Sequence, residues 1–316
     1  MYWNSIANPL IIIVGPTASG KTALSIELAK ILKGEIISAD SRYFYRGMDI
    51  GTAKPTKTEM QSIPHHLIDV AEPEETWSLA KFQIEALRII DHIHSREMMP
   101  ILVGGTGQYI HSVMHSWSMP AQERNDHLRA ILEKEVIDKG RDNLYEYLKC
   151  VDPLAASQID NRNFRRTLRA VEVILLTGHR FSDQRRISSS KYNRKLIGLK
   201  IERNELYARI DQRIEKMIEN GFIEEVKDLI SKGYSPINSS MSAIGYREIY
   251  QFVNGAVSLD EAIVLMKRNT RQFVRRQANW FKENDPQIQW FTHHDEMLNE
   301  IIRYIQSNDG WLAPDI

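Results

Sequence analysis

The chain has 316 residues, of which 42% are hydrophobic, so it can bury one large core or two smaller ones. Its 41 basic and 41 acidic residues balance, and net charge therefore gives no argument for a nucleic-acid partner. The single cysteine, Cys150, excludes an internal disulfide and a cysteine-rich zinc site, and it suits a reducing compartment. No apolar run is long enough to cross a bilayer or to form a signal-peptide core, so we expect a cytoplasmic protein with no membrane association.

Short apolar runs alternate with helical periodicity over the first hundred residues. Leu10–Val14 predicts a buried strand, which is followed by the glycine-rich segment 15–22 and then by a helix. Further strands are predicted at Glu35–Ser38 and Pro100–Val103, with a helix over Trp77–Arg96 between them. Strands that alternate with helices predict a parallel sheet covered on both faces.

The pattern changes near residue 118. Residues 118–190 lack strand signals and predict helices. Lys195–Ile201 then predicts a returning core strand, followed by helices at about 205–219, 222–232 and 260–284. We therefore predict an α/β fold with two domains: a core from residues 1–117 and 191–316, and a helical insertion at 118–190.

The glycine-rich segment carries the first chemical signal. Its sequence, Gly-Pro-Thr-Ala-Ser-Gly-Lys-Thr, matches G-x-x-x-x-G-K-[ST] in the strand–loop–helix context that this motif requires. Successive backbone N–H groups and a helix N-terminus can then face an anion. Lys21 supplies a mobile charge, and the Thr22 hydroxyl is a candidate ligand for Mg²⁺, the cofactor we expect. The predicted phosphate contacts are Gly15, Thr17, Ala18, Ser19, Gly20, Lys21 and Thr22.

Two further turns follow predicted strands and should reach the same edge of the sheet. One is Asp40-Ser41-Arg42, and the other is the glycine turn that contains Thr106. No predicted strand ends in the acidic pattern of an ordinary nucleotide hydrolase, so an NTPase or kinase is not the only interpretation. An aspartate beside a phosphate loop can ligate a metal, act as a base or cap a turn, and the adjacent phosphate site favours a functional role.

Arg209 and Arg213 lie four residues apart in a predicted helix and therefore share a face. They can bind the outer oxygens of a diphosphate through paired hydrogen bonds. Alternatively, they form a solvated face paired with Asp211 or Glu215.

These motifs belong to an ordered set that covers nearly the whole chain. Its most specific part runs from Asp40 to Pro55. Together the motifs resemble the bacterial tRNA dimethylallyltransferase family, also called isopentenyl-tRNA transferases. The matching segments are 15–22, 36–42, 45–55, 64–69, 101–107, 170–173, 245–247 and 276–280.

The resemblance implies a P-loop NTPase-like fold with a helical insertion that grips the anticodon stem-loop of tRNA. It also implies transfer of a dimethylallyl group from dimethylallyl diphosphate to N6 of adenosine-37, immediately 3′ of the anticodon, by an enzyme that we expect to be a monomer. Asp40 matches the family's general base. Lys21, Thr22 and Arg213 would complete the catalytic group by meeting the charge of the departing diphosphate, with Arg209 as a further substrate contact.

The distribution of charge supports an RNA partner. Residues 161–195 contain ten Lys or Arg and two acidic residues, a local excess of eight positive charges. The helix at 260–284 repeats the basic character more weakly, with aromatic residues that can stack on bases or pack in the core. The individual tRNA contacts are those that the family resemblance implies: Asp40, Ser41, Arg42, Tyr43, Thr106, Arg129, Arg165, Arg166, Arg169, Gly245, Tyr246, Arg247, Arg275, Arg276, Gln277 and Trp280.

The chain departs from the family pattern at a few positions, and other functions stay open at this stage. Tyr43 stands where the family usually has Gln, Phe44 follows it, and Gln108 replaces an apolar residue. The alternatives are an adenylate isopentenyltransferase that acts on free AMP or ATP, a P-loop kinase, and a non-catalytic RNA-binding module. The basic insertion argues against the first, and the phosphate loop with Asp40 argues against the last.

Overall fold

The computed structural model describes residues 6–117, 125–184, 190–307 and 311–312. The chain divides into two compact units. One combines Met1–Met114 with Ser190–Ile316, and the other is His115–Ser189. No helix in the described ranges is both long enough and apolar enough to cross a membrane.

A parallel six-stranded sheet forms the centre of the first unit. Its strands in chain order are β1 (Pro9–Val14), β2 (Gly34–Ser38), β3 (His65–His66), β4 (Met99–Val103), β5 (Asn193–Lys200) and β6 (Ile288–Thr292). In space they run β3-β2-β4-β1-β5-β6, so β1 lies between β4 and β5. The predicted parallel sheet and each of its four predicted strands are confirmed.

The helices follow in chain order. The first part of the chain contributes α1 (Lys21–Leu32), α2 (Lys57–Met60), α3 (Leu79–Ser95) and α4 (Gly107–Met114). The second unit contains α5 (Asp126–Lys139), α6 (Arg141–Val151), α7 (Pro153–Gln158) and α8 (Phe164–Thr177). The remainder of the first unit contributes α9 (Arg203–Glu219), α10 (Phe222–Ser231), α11 (Tyr246–Val253), α12 (Leu259–Gln277) and α13 (Met297–Gln306).

The central strand β1 shows why the sheet is covered on both sides. All six of its residues are buried. Leu10, Ile12 and Val14 belong to one hydrophobic cluster, together with residues of α3, α4 and α9. Ile11 and Ile13 belong to another, together with residues of α1 and α13. Since successive side chains of a strand point to opposite faces, an unbroken apolar run requires helices on both.

One predicted helix ends earlier than expected. The segment 260–284 was predicted to be helical throughout, but α12 ends at Gln277. The backbone carbonyl of Gln277 accepts hydrogen bonds from the N–H groups of Trp280 and Phe281, at 3.0 and 3.3 Å. The first of these spans only three residues and tightens the chain into a turn, so the aromatic residues lie beyond the helix.

The second unit contains a buried carboxylate that organises its basic side chains. Glu172 of α8 is inaccessible and accepts hydrogen bonds from Arg129, from Arg169 and from the backbone N–H of Asn125. Burial alone would raise the pKa of Glu172, but these hydrogen bonds outweigh it and lower the pKa to about 2. The carboxylate therefore stays ionised and holds both guanidinium groups.

Candidate active site

The glycine-rich loop connects β1 to α1 at the carboxyl edge of the sheet. Gly20 has φ of 85° and precedes the first helical residue, a backbone conformation that glycine adopts without strain. Among the described residues, none accepts a hydrogen bond from the N–H groups of Gly20, Lys21 or Thr22. These donors lie at the positive end of the α1 dipole and are available to an anion.

The Lys21 side chain is hydrogen-bonded to the backbone of the phosphate loop. Its ammonium donates to the carbonyl oxygen of Pro16 at 2.6 Å. Burial lowers the pKa of Lys21 to about 8, with the charge of Asp40 opposing the shift and that of Arg213 adding to it. An arriving anion would add a further negative charge beside this ammonium and would therefore raise the pKa of Lys21.

Asp40 follows β2 and lies at the same edge of the sheet. Its carboxylate accepts the backbone N–H of Arg42 at 3.0 Å, which leaves further lone pairs for other donors. The Arg42 guanidinium donates to the carbonyl oxygen of Ser239 at 3.0 Å, so this predicted tRNA contact is also a link within the first unit.

The two family departures beside Asp40 have different environments. The Tyr43 hydroxyl donates to the carbonyl oxygen of Ala53 at 2.9 Å. Burial raises the pKa of Tyr43 to about 12, so the phenol stays a neutral donor at physiological pH. Phe44 is fully buried, with its ring centroid 5.2 Å from that of Trp77 and 5.8 Å from that of Tyr109. Phe44 therefore belongs to the core, whereas Tyr43 lines the cavity of the site.

The two predicted arginine contacts on α9 are engaged differently. One Arg213 nitrogen donates to the Thr17 hydroxyl at 3.4 Å and another to the Thr52 carbonyl at 3.2 Å, which aims the group at the phosphate loop. Arg209 donates to Glu205 at 2.6 Å, and both side chains of this pair are partly exposed to solvent. Of the two interpretations of this helix face, the geometry favours phosphate binding for Arg213 and a surface pair for Arg209.

Glu225 holds the segment 49–51, of which Asp49 and Ile50 line the cavity. Its carboxylate accepts the backbone N–H groups of Asp49, Ile50 and Gly51 at 2.9, 2.7 and 3.1 Å, and the Tyr246 hydroxyl at 2.6 Å. Gly51 is required here, because a Cβ would lie 2.0 Å from the Phe222 ring. Sequence reasoning missed Glu225, since nothing local distinguishes it from the exposed acidic residues of α10.

These elements enclose a cavity of about 810 Å³. The cavity brings together most residues of the predicted phosphate and catalytic sets, and Tyr43 with them. Thr106 is not among its lining residues, although the neighbouring Gly104 is. The lining residues from the predicted sets are Thr17, Ala18, Ser19, Gly20, Lys21, Thr22, Asp40, Tyr43, Arg209 and Arg213.

The same cavity permits a test of the expected magnesium ion. The described residues contain no group of three or more His, Cys, Asp or Glu side chains that could hold a metal. Thr22 lines the cavity and offers a hydroxyl oxygen, the hard donor that Mg²⁺ accepts, with Asp40 on the same cavity surface. Because Mg²⁺ is usually held by one or two protein oxygens with substrate phosphates and water, the residues present fit an ion that enters with a diphosphate.

The basic segment 161–195 is less uniform than its sequence suggests. Arg194 and Lys195 are buried in β5, so they do not belong to an RNA-facing surface. The Lys195 ammonium donates to the Ser307 carbonyl at 2.9 Å and lies 4.4 Å from the Tyr304 ring centroid. Arg185 and Arg186 lie outside the described residues.

The arginines of the second unit divide into paired and available groups. Arg129 and Arg169 bind Glu172, and Arg162 binds Asp160 through two nitrogens at 2.7 and 3.0 Å. Within the described ranges, no hydrogen bond or ion pair engages the guanidinium groups of Arg165 and Arg166, at the start of α8. These two carry the clearest uncompensated positive charge for a polyanion.

The predicted tRNA contacts in the C-terminal part of the chain also fall into a buried and an exposed group. Tyr246 is fully buried with its hydroxyl on Glu225, and Gln277 is 6% exposed. The prediction that these two side chains face tRNA is therefore corrected. Gly245 is buried beneath Phe222, whereas Arg247, Arg275, Arg276 and Trp280 are exposed.

Trp280 lies beside the glycine turn at 104–107, which contains the predicted tRNA contact Thr106 and which we name the acceptor turn. It packs on Gly107, where a Cβ would approach its ring atoms to 2.1 Å, and its ring centroid is 5.5 Å from that of His111. The indole is nevertheless 41% exposed, so part of its surface is available to a base.

Glu225→Gln should destabilise the protein by about 1–2 kcal/mol, because one acceptor oxygen becomes an NH₂ group that faces backbone N–H donors. Glu224→Gln is the matched control, since Glu224 is exposed on the same helix. Urea unfolding monitored by circular dichroism measures both. Equal stability of the two variants would contradict the anchoring role.

Affinity for inorganic pyrophosphate should fall about tenfold between pH 7 and pH 9, because Lys21 loses its proton above about pH 8 and binding requires its charge. Isothermal titration calorimetry measures the affinity. Lys21→Met should bind weakly and retain only the pH dependence that comes from pyrophosphate itself. The same pH dependence in both proteins would show that the Lys21 charge does not contribute.

Known proteins share both the motifs and the fold. Residues 43–284, more than half of the chain, match the family model for IPP transferase. The tRNA dimethylallyltransferase of Alkaliphilus metalliredigens is 44% identical over 301 residues, covering 95% of this chain and 96% of that protein. The crystal structure of the full-length tRNA isopentenylpyrophosphate transferase from Bacillus halodurans is 44% identical, covers 94% of this chain and 95% of that one, and superposes with a TM-score of 0.71.

A more distant structure extends the likeness. It is a eukaryotic dimethylallyltransferase acting on tRNA, which is 27% identical, covers 94% of this chain and 77% of that one, and superposes with a TM-score of 0.80. The α/β, P-loop NTPase-like fold predicted from sequence is thereby confirmed. The chain belongs to the IPP transferase family.

Proposed function

We propose that this protein is a tRNA dimethylallyltransferase, which moves a dimethylallyl group from dimethylallyl diphosphate to N6 of the adenosine 3′ of the anticodon. One observation carries the proposal. A single cavity is lined by the phosphate loop with Lys21, by Arg213 and by Asp40, in a chain whose relatives are tRNA dimethylallyltransferases. A leaving-group site and a proton acceptor are therefore adjacent.

The reaction breaks the bond between C1 of the dimethylallyl group and a diphosphate oxygen, and diphosphate leaves with the electron pair. A new bond joins C1 to N6, and N6 loses one proton. The lone pair of N6 is delocalised into the adenine ring, so a carboxylate that takes this proton as the bond forms assists the attack. Asp40 is the cavity residue that we assign to this role.

The diphosphate gains charge as it departs, and fixed donors should meet that charge. The free N–H groups of Gly20, Lys21 and Thr22 suit the task, as do the ammonium of Lys21 and the guanidinium of Arg213. We also propose that Mg²⁺, held by the Thr22 hydroxyl and substrate oxygens, neutralises part of this charge when bound. The Tyr43 phenol also lines the cavity, but its proton is already donated to the Ala53 carbonyl, so Tyr43 shapes the site rather than binding the diphosphate.

The target adenosine must leave its stack in the anticodon loop before N6 can react. The exposed surface of Trp280, beside Gly107 and the Thr106 turn, offers a partner for an unstacked base. Arg165 and Arg166 on α8, which have no acidic partner among the described residues, and the exposed Arg275 and Arg276 at the end of α12 supply charge for the RNA backbone. An enzyme that acts on free AMP would not need these basic residues, so they favour a tRNA acceptor.

Labelled dimethylallyl diphosphate offered with tRNA or with AMP tests the acceptor directly. We expect label in tRNA and none in AMP. Label in AMP alone would identify an adenylate isopentenyltransferase, and ATP turnover without prenyl transfer would identify a kinase. Label in neither acceptor would refute the proposal.

Asp40→Asn should lower the rate of transfer by about 10²–10⁴-fold, because general-base catalysis is lost while the neutral amide cannot accept the proton. The amide oxygen can still accept the Arg42 N–H, so folding and binding of both substrates should persist. Asp295→Asn, an exposed position outside the cavity, is the control. Near-normal turnover in the Asp40 variant would exclude the general-base role.

Affinity for tRNA should decrease steeply with salt, and the Arg165→Ala/Arg166→Ala double variant should flatten the slope of log K against log[salt] by about 1–2, one charge contact per arginine. Arg162→Ala is the matched control, because Asp160 already compensates this exposed arginine and its removal should change the slope less. Filter binding across a salt series gives the slopes. An unchanged slope in the double variant would place the tRNA contact elsewhere.

A further inference from the structure

The side chain of Gln277 joins two loops that follow different strands, β1 and β4. Its Oε1 accepts the backbone N–H of Thr17 in the phosphate loop at 3.0 Å. Its Nε2 donates to the carbonyl oxygen of Gly105 in the turn after β4, also at 3.0 Å. Because the amide has one accepting and one donating end, the two bonds together define its orientation.

Packing leaves this amide little freedom. Gln277 is 6% exposed, and a Cβ at Gly105 would lie 2.1 Å from its Nε2 atom and 3.3 Å from the Gly15 carbonyl oxygen. A Cβ at Gly104 would lie 2.6 Å from the carbonyl oxygen of Ala39, the residue before Asp40. The phosphate loop, the Asp40 turn and the glycine turn are therefore in backbone contact, with the amide inserted between two of them.

The two joined loops hold different parts of the reaction. The phosphate loop binds the leaving group, and the glycine turn leads into Thr106 and Gly107, beneath the exposed face of Trp280. Bond formation requires reacting atoms about 3–3.5 Å apart, and a displacement of about 1 Å costs roughly a hundredfold in rate. A group that sets the spacing of these loops therefore controls the rate of transfer without touching either substrate.

We propose that Gln277 is a positioning residue of the transfer reaction, which couples the phosphate loop to the acceptor turn. This inference rests on the proposed function for its kinetic consequence, whereas the coupling itself does not depend on the identity of the acceptor. The side chain follows Arg275 and Arg276, two exposed cations at the end of α12, so the same helix end joins a charged surface to both loops.

Two variants separate positioning from mere stability. Gln277→Glu keeps an acceptor for the Thr17 N–H but places a carboxylate oxygen against the Gly105 carbonyl. Gln277→Met keeps the approximate shape and removes both hydrogen bonds. Gln272→Glu, an exposed position on the same helix, is the control for added charge.

Kinetics gives the first readout. At saturating substrates we expect the rate of transfer to tRNA to fall about 10–100-fold in both Gln277 variants, with KM for tRNA within about threefold of the parent protein and no change in Gln272→Glu. A rise in KM for tRNA at unchanged kcat would show instead that Gln277 acts in RNA binding, which would overturn the proposal.

Hydrogen exchange gives a readout that needs no activity. Inorganic pyrophosphate should protect peptides of both the phosphate loop and the 104–108 turn in the parent protein, but only the phosphate-loop peptide in the Gln277 variants. Protection of both peptides in the variants would refute the coupling. If pyrophosphate protects both peptides in the parent protein but no tRNA is labelled, the coupling is supported and only the proposed function is refuted.

Discussion

The close approach of three backbone turns at the carboxyl edge of the sheet is the constraint on which the site depends. The turns follow β1, β2 and β4, which are neighbours in the order β2-β4-β1. Glycine is required where they meet, because a Cβ at Gly104 would lie 2.6 Å from the carbonyl oxygen of Ala39, and one at Gly105 would lie 3.3 Å from that of Gly15. Parallel strands align the turns, and the missing side chains let them touch, so a leaving group and a base can share one cavity.

The charged side chains at this edge of the sheet favour the binding of an anion. Burial is the largest influence on Lys21 and lowers its pKa to about 8. The charge of Asp40 opposes this shift, and its attraction is larger than the repulsion that Arg213 exerts on the ammonium. Because desolvation disfavours the charged ammonium, a diphosphate that pairs with Lys21 stabilises its charged form.

The elements with continuous local signals could be predicted from sequence, and those defined by distant contacts could not. The apolar run of β1 and the motif of the phosphate loop each lie within a few residues, and both were found. Strand β6 was missed because only two of its five residues are buried, so its sequence lacks a clear apolar pattern. Glu225 acts on backbone groups 174–176 residues away, and Gln277 on residues 260 and 172 away. No short-range pattern distinguishes such residues from ordinary polar ones.

The basic residues show why a charge count alone overstates an RNA surface. In the segment 161–195, Arg194 and Lys195 are committed to core contacts, and Arg162 and Arg169 to nearby carboxylates. A cation whose charge is already matched contributes little counterion release, whereas an unmatched one contributes nearly a full unit. We therefore expect Arg165 and Arg166 to contribute a larger share of the tRNA affinity than an equal division among the basic residues of this segment would give. Arg129 and Arg169, in contrast, are held by the buried Glu172 carboxylate. They therefore contribute to the structure of the second unit more than to its free positive charge.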